Sequence, residues 1–253
     1  MGIKSLAGTA GIGFVLWVQG VAAHAAEIKV LCSNAIVPIM SELVPRFERA
    51  TGHKLAIRYE AGPVLKRQIE AGEAFDVAIL SLDVDDLIRQ GKLAVGTRAV
   101  LGRTGVGVAV RKGAPRPDIS TTEAFKRTLL NAKSVGYSGG SSGLFFLGLL
   151  DRLGIAEEMK LKLKPVKIGG TAEILRAGEA ELVVNGVGVI LMADGTELVG
   201  PLPPELQSYV VFTGGVSNTA KEAEAGRALL TFLTTPAAVA VFKAKGIEPG
   251  TPQ

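Results

Sequence analysis

Ser138, Ser141 and Ser142 stand in one short stretch, interleaved with Gly139, Gly140 and Gly143. Hydroxyls and unhindered backbone in that mixture suit one kind of chemistry: presenting hydrogen-bond donors to something small and negative. Val135 to Tyr137 reads as the end of a buried strand, and Leu144 to Leu153 as an apolar helix. A Gly/Ser turn between two such elements leaves the first helical N–H groups aimed at one spot, with the positive end of the helix dipole behind them. The same composition also serves a tight turn by geometry alone. The stretch therefore gains meaning only from what the chain places beside it.

Other junctions carry the same residue types. Ser33 and Asn34 close the first apolar run, Gly62 opens a helix after Ala61, Ser81 follows a third apolar run, and Asn185 and Gly186 end a later one. With Ser141 and Ser142 they form the candidate ligand-binding set: Ser33, Asn34, Gly62, Ser81, Ser141, Ser142, Asn185 and Gly186. Hydroxyl and amide donors select by geometry, and each helix start adds a partial positive charge of roughly +0.5. Ser33 and Ser81 also fit ordinary strand-end turn chemistry, and Asn185-Gly186 fits a left-handed turn.

Catalytic residues are harder to find. Of the two histidines, His24 belongs to the extreme N-terminal segment and His53 follows Thr51-Gly52 at a helix end. A histidine-rich metal site is excluded, and a Ser-His-Asp triad could draw only on His53. Asp76, Asp83 or Glu60 would have to act as a base. Asp76 reads as a polar strand residue and Asp83 as a helix cap. The expectation is a binding protein and not an enzyme, with no catalytic residue, no metal and no cofactor. Trp17 is the only tryptophan and also lies in the N-terminal segment, which disfavours a sugar stacked on aromatics. The net charge of +4 carries no Lys/Arg cluster interleaved with aromatics, so nucleic acid is not an expected partner. Cys32 is the single cysteine, which rules out an intrachain disulfide, and it reads as a small buried hydrophobe.

The elements that must position these residues alternate regularly. Glu27 to Ser33, Lys54 to Tyr59 and Phe75 to Leu80 read as strands; Pro38 to Ala50, the segment opened by Gly62-Pro63, and Val84 to Gln90 read as the helices after them. Ile39, Met40, Leu43 and Phe47 make one apolar helical face, and Gly52 a helix stop. Gly105 to Val110 begins a second series. Ser120 or Thr121 caps the next helix, with Glu123 at capping-box spacing from Ser120, and strands follow at Lys133 to Tyr137, Leu161 to Lys167 and Glu181 to Asn185. Tyr209 to Val216 is a further strand, and Lys221 to Thr234 and Pro236 to Lys245 are closing helices. This order predicts an α/β chain of two lobes, each a mostly parallel sheet flanked by helices. Lobe 1 takes 26–104 and 197–253 and lobe 2 takes 105–196, with hinge crossings near 100–104 and 196–200. Ligands of such sheets bind beyond the C-terminal strand ends, where the candidate residues fall.

Residues 1–25 read as a signal peptide: Lys4 starts it, Ile12 to Val18 forms a short apolar run, and Ala23-His24-Ala25 fits a small-x-small cleavage site. Loss of Lys4 would leave a mature charge of +3.

Five segments together resemble a known family: Val44 to Gly52, Leu65 to Gly72 with Phe75 to Val77, Arg111 to Asp118, Ser138 to Gly143, and Leu233 to Pro236 with Lys245-Gly246. They are similar to type II periplasmic solute-binding proteins of ABC importers, in the branch of the molybdate-binding proteins. The resemblance implies a periplasmic receptor, monomeric, that closes two lobes on a small anionic solute and presents it to an inner-membrane ABC permease. It also implies that hydroxyls and helix-start N–H groups hold the oxyanion, Ser33 among them. The chain departs from that pattern twice. Ala61-Gly62-Pro63 lacks the expected hydroxyls, with Pro63 removing an N–H, and Val187 to Met192 has no tyrosine. These departures leave open molybdate or tungstate, another oxyanion, or a small carboxylate, and equally a sensor in place of a permease.

Overall fold

The computed structural model describes residues 25–167 and 169–250. The expected signal peptide lies outside the described residues except for Ala25. The first series is β1 (Glu27–Ser33), α1 (Val37–Thr51), β2 (Lys54–Glu60), α2 (Gly62–Glu70), β3 (Val77–Leu80) and α3 (Asp85–Arg89), with a single 3-10 turn at Asn34–Ile36. A long strand, β4 (Ala99–Arg111), leads to α4 (Thr122–Asn131), β5 (Val135–Ser138), α5 (Ser141–Arg152), α6 (Ala156–Met159), β6 (Leu163–Val166), α7 (Thr171–Arg176), β7 (Leu182–Gly186) and α8 (Val187–Met192). The chain closes with β8 (Thr196–Pro201), β9 (Tyr209–Val216), α9 (Ala223–Leu233) and α10 (Pro236–Ala244).

Local sequence accounts for most of these bounds. Ile39, Met40, Leu43 and Phe47 bury one face of α1, and Gly52 ends it at φ 77°, a conformation that costs glycine little. Thr121 caps α4 by accepting the Ala124 N–H at 3.1 Å. Glu123 is then the second helical residue, so the expected box with Ser120 does not form; Ser120 donates its hydroxyl to Asp118 at 2.7 Å instead. Asp83 is not the cap of α3 either, because Val84 takes that position. Asp83 accepts from the Asp85 N–H at 3.0 Å and pairs with Arg98 at 3.1 Å. The difference that bears on the site is in α5, which starts at Ser141 rather than Leu144. Ser141 and Ser142 thus sit in the first helical turn.

The strands run in the order β2-β1-β3-β9-β4-β7-β5-β6, with β8 added on β4. β1 is parallel to β2 and β3, and β5 is parallel to β6 and β7. β9 and β4 are antiparallel to their neighbours. β4 serves both halves. Its residues Ala99 to Gly105 pair with β9, Val106 to Val110 with β7, and Gly107 to Arg111 with β8. Sequence placed this strand only at Gly105–Val110, because Gly102, Arg103 and Thr104 break the apolar run.

The cores separate at the same point. Ile28, Leu43, Phe47, Phe212, Leu229 and Phe242 fill one face of the first sheet, and Leu65, Ile69, Leu80 and Leu87 the other. Val106, Phe125, Leu129, Phe146 and Leu149 form a core of the second half, and Ala109, Ile174, Val183 and Ile190 the core on its opposite face. Each sheet therefore carries helices on both faces, the layering of an α/β fold. Where the chain passes between halves, Gln207 stands in for a neighbouring strand. Its side chain accepts the Val106 N–H at 2.8 Å and donates to the Val106 carbonyl at 3.0 Å. Among the described residues no single helix is long and apolar enough to cross a membrane.

Candidate functional site

A cavity of about 530 Å³ lies where the C-terminal ends of β1, β2, β5, β6 and β7 converge with the residue after β3. Among the sequence candidates, Asn34, Ser81, Ser141, Ser142, Asn185 and Gly186 line it. Ser33 and Gly62 do not form its wall. Ser33 is fully buried, and its Oγ accepts the Ala35 N–H at 3.4 Å, capping the 3-10 turn. Gly62 lies behind Ser81, where a side chain in its place would run into the Ser81 hydroxyl. Both act one step back from the cavity.

The second-lobe wall is a connected network. Ser142 Oγ donates to Asn185 Oδ1 at 2.9 Å and lies 3.1 Å from Ser138 Oγ. Asn185 Oδ1 also accepts the Gly186 N–H at 2.8 Å, and its Nδ2 donates to Thr171 Oγ1 at 3.2 Å. With Ser142 donating to Asn185, the Ser138–Ser142 contact has Ser138 as its donor. These hydroxyls therefore orient one another. α5 adds donors for a guest on this wall through its first N–H groups, at Ser141 and Ser142, which the helix cannot use. Glycine makes this possible: a side chain at Gly143 would overlap the Ser138 carbonyl, so only glycine lets α5 begin this close to the end of β5.

The first-lobe wall offers Asn34, Ser81 and the starts of α1 and α2. Pro63 occupies the second position of α2, leaving the Gly62 N–H as the free donor of that turn. The walls meet directly: Ser141 Oγ donates to the Ser81 carbonyl at 2.5 Å. Thr104, in the middle of β4, lines the cavity floor. It accepts the Gly188 N–H at 2.9 Å and donates to the Gly246 carbonyl at 3.2 Å.

Two lining residues ionise, Glu60 at the end of β2 and Lys167 just after β6. They face the cavity from opposite lobes. Sequence reading missed Lys167 and named Glu60 only as one of three carboxylates that could act as a base. The other carboxylates considered as bases are occupied elsewhere. Buried Asp76 accepts the N–H groups of Lys29 at 2.8 Å, Lys221 at 2.8 Å and Glu222 at 3.1 Å, stapling β1 to the approach to α9. Asp83 is outside the cavity, held by Arg98. His53 accepts the Ala26 N–H through Nδ1 at 3.2 Å, a structural role. Cys32 is buried in β1, and burial pushes its thiol far above the usual range. Among the described residues no cluster of His, Cys, Asp or Glu could hold a metal ion.

A second hollow, of about 690 Å³, opens at the other end of β7 between the 111–118 loop and α7. Arg111, Asp118, Arg176 and Glu181 line it with mixed charge, and none of the convergent strand ends reaches it.

The sequence profile of bacterial extracellular solute-binding proteins matches residues 28–248. Aconitate isomerase of a Pseudomonas species is 30% identical over 229 residues, covering 88% of this chain and 87% of that protein. The molybdate-binding protein ModA of Azotobacter vinelandii is 28% identical over 243 residues, covering 89% and 91%. The solved Azotobacter vinelandii periplasmic molybdate-binding protein superposes with a TM-score of 0.72 at 19% identity, over 89% of this chain and all of that one. The fold expectation is met. The expectation that the chain is not an enzyme is overturned by the full-length relative named as an isomerase. Among its lining residues the cleft has no histidine, and its two ionisable ones are Glu60 and Lys167.

Proposed function

We propose that this chain, a member of the bacterial extracellular solute-binding protein family, takes a small polycarboxylate into its cleft and interconverts its isomers, with aconitate the first substrate to test. The observation that carries this reading is the pairing of Glu60 with Lys167 across a cavity already rich in hydroxyl and N–H donors. Support also comes from the relative named aconitate isomerase. The cavity volume fits a small-molecule site, which runs from about 300 to 1,000 Å³. Aconitate is an unsaturated tricarboxylate. Its isomers differ in the arrangement about one double bond, and shifting one proton along the allylic system exchanges them with no oxidant or group donor. A base and a carboxylate anchor are the parts such a reaction needs.

The reading extends to the rest of the molecule. The signal peptide is cut after Ala25 and the mature chain works as a periplasmic monomer. Lobe 1 comprises 26–104 with 202–253, and lobe 2 comprises 105–201. The pairing of Thr196–Pro201 with the 107–111 half of β4 supports reading the second boundary a few residues past the expected 196–197. The test is incubation of the mature chain with cis-aconitate under proton NMR. Growth of trans-aconitate signals above a protein-free control is the expected result, and an unchanged spectrum at high protein concentration removes the activity.

A second reading keeps the chain a receptor that hands an oxyanion to an ABC permease. The free N–H groups at the starts of α2 and α5 favour it, as does the molybdate-binding relative. Against molybdate itself stand Pro63 and the lack of a tyrosine in α8.

A further inference from the structure

We infer that Glu60 carries the proton and Lys167 holds the adjacent carboxylate in the isomerisation proposed above, so that the reacting pair is complete only when both lobes contribute. The inference rests on that reading of the cleft. Glu60 is the last residue of β2, in register with Ser33 of β1. The neighbouring Ala61 N–H donates to its Oε1 at 2.8 Å, which fixes the carboxylate, while among the described residues Oε2 has no such bond. Lys167 follows buried Val166 at the end of β6, in the opposite lobe. Among the described residues neither enters an ion pair, whereas Glu42, Glu48, Glu70, Glu73, Asp83 and Asp86 all do. Asp76 and Asp83 are committed elsewhere, which leaves Glu60 as the carboxylate on the cavity wall.

The step balances within the substrate. Glu60 carboxylate takes a proton from the methylene carbon of aconitate. The C–H electron pair spreads over the allylic system and into the carboxylate beside Lys167, whose charge stabilises it. Glu60, now a carboxylic acid, returns a proton to the far end of that system. The double bond has moved by one position, and Glu60 is again a carboxylate. The geometry of the new double bond is set by how the methylene arm is held when its proton leaves, which gives Lys167 a say in which isomer forms.

The test compares the mature wild-type chain with Glu60→Gln, Glu60→Asp and Lys167→Met in D2O, with cis-aconitate as the probe. Three quantities are read: conversion, deuterium entering recovered aconitate, and the rise in melting temperature with ligand. Glu60→Gln is expected to keep its melting shift while losing conversion and deuterium exchange by roughly 100-fold or more, the scale of general acid–base catalysis. Glu60→Asp is expected to restore part of both. Lys167→Met is expected to lose most of the melting shift. If wild type converts aconitate and Glu60→Gln does so at the same rate, this inference falls and the proposed function stands. If wild type binds aconitate but never converts it, the activity and this inference fall together.

Discussion

The hydroxyl of Ser141, in the first turn of α5, donates to the backbone carbonyl of Ser81 across the cleft at 2.5 Å. The two side-chain oxygens also lie 3.2 Å apart. A residue of one lobe thus closes on a strand end of the other, and the bond forms and breaks with any hinge opening. The acceptor is a main-chain atom, so the two serines are not equivalent. Ser141→Ala removes the bond; Ser81→Ala leaves its acceptor in place. Ser141→Ala is expected to weaken binding of the cleft's anion by roughly two- to tenfold, at ~0.5–1.5 kcal/mol for a hydrogen bond between uncharged groups, and Ser81→Ala by clearly less. Calorimetric titration checks the order, and equal losses would contradict it.

Asn185 separates stability from binding. It is buried and bonded to Ser142, Gly186 and Thr171 at once. Asn185→Ala strands those partners and should cost about 1–3 kcal/mol, seen as a lower urea midpoint. Asn185→Asp keeps both acceptor bonds and is expected to unfold closer to wild type. It brings a negative charge to the cleft wall, so it should bind an anionic solute much more weakly. An Asn185→Asp chain with undiminished affinity would show that this wall does not meet the anion.

Two glycines give opposite expectations. A methyl at Gly143 meets the Ser138 carbonyl, which is backbone and cannot step aside; a methyl at Gly62 meets first the Ser81 hydroxyl, which can rotate, and then the Ser81 backbone nitrogen at 3.1 Å, a far milder approach. Gly143→Ala is expected to lose roughly 1–3 kcal/mol, the usual range for overpacking. Gly62→Ala should stay within about 1 kcal/mol of wild type on the same scale while altering solute affinity by displacing Ser81. Denaturant midpoints and titrations of the two variants decide.

Cys32 makes stability fall in alkaline solution. Burial raises its thiol far above the usual range in the folded chain, while the unfolded thiol ionises near ~8.5. The contribution is intact below that pH and declines above it, by about 1.4 kcal/mol per pH unit. Tyr59 sits beside it in register and is pushed up to about 12, by burial first and by the Cys32 charge second. Its unfolded form ionises near ~10, so it adds to the decline above that pH. Between pH 8.5 and 9.5 wild type should therefore lose stability more steeply than Cys32→Ala. Parallel slopes would contradict the buried thiol.

Much of this architecture was legible because strand–helix alternation is written in apolar spacing. Ile39 to Phe47 and Tyr209 to Val216 fell where pattern put them. The extent of β4 was not legible: its half around Gly102 to Thr104 is held by β9 and not by an apolar run of its own. The hydroxyl-rich turns pointed to Ser81, Ser141, Ser142 and Asn185 because several polar junctions fell together at the C-terminal strand ends, where such sheets bind ligands. The same reasoning misplaced Ser33 and Gly62, which support the wall from behind, since sequence shows which junction a residue occupies but not its depth. Lys167, and its place on the same cavity as Glu60, went unseen for a different reason. The two residues are 107 positions apart in the chain, and only the folding of β2 and β6 into facing lobes brings them to one cavity.

The central claim is that the cleft is built for a small polycarboxylate. It is tested most directly by melting the mature wild-type chain against cis-aconitate, trans-aconitate, citrate, molybdate, tungstate, sulfate and phosphate, because a ligand of the folded state raises the melting temperature with its occupancy. The account expects the aconitate isomers to raise it in a concentration-dependent way, with the tetrahedral oxyanions giving little or nothing. A rise with molybdate or tungstate alone, and none with any carboxylate, would contradict it.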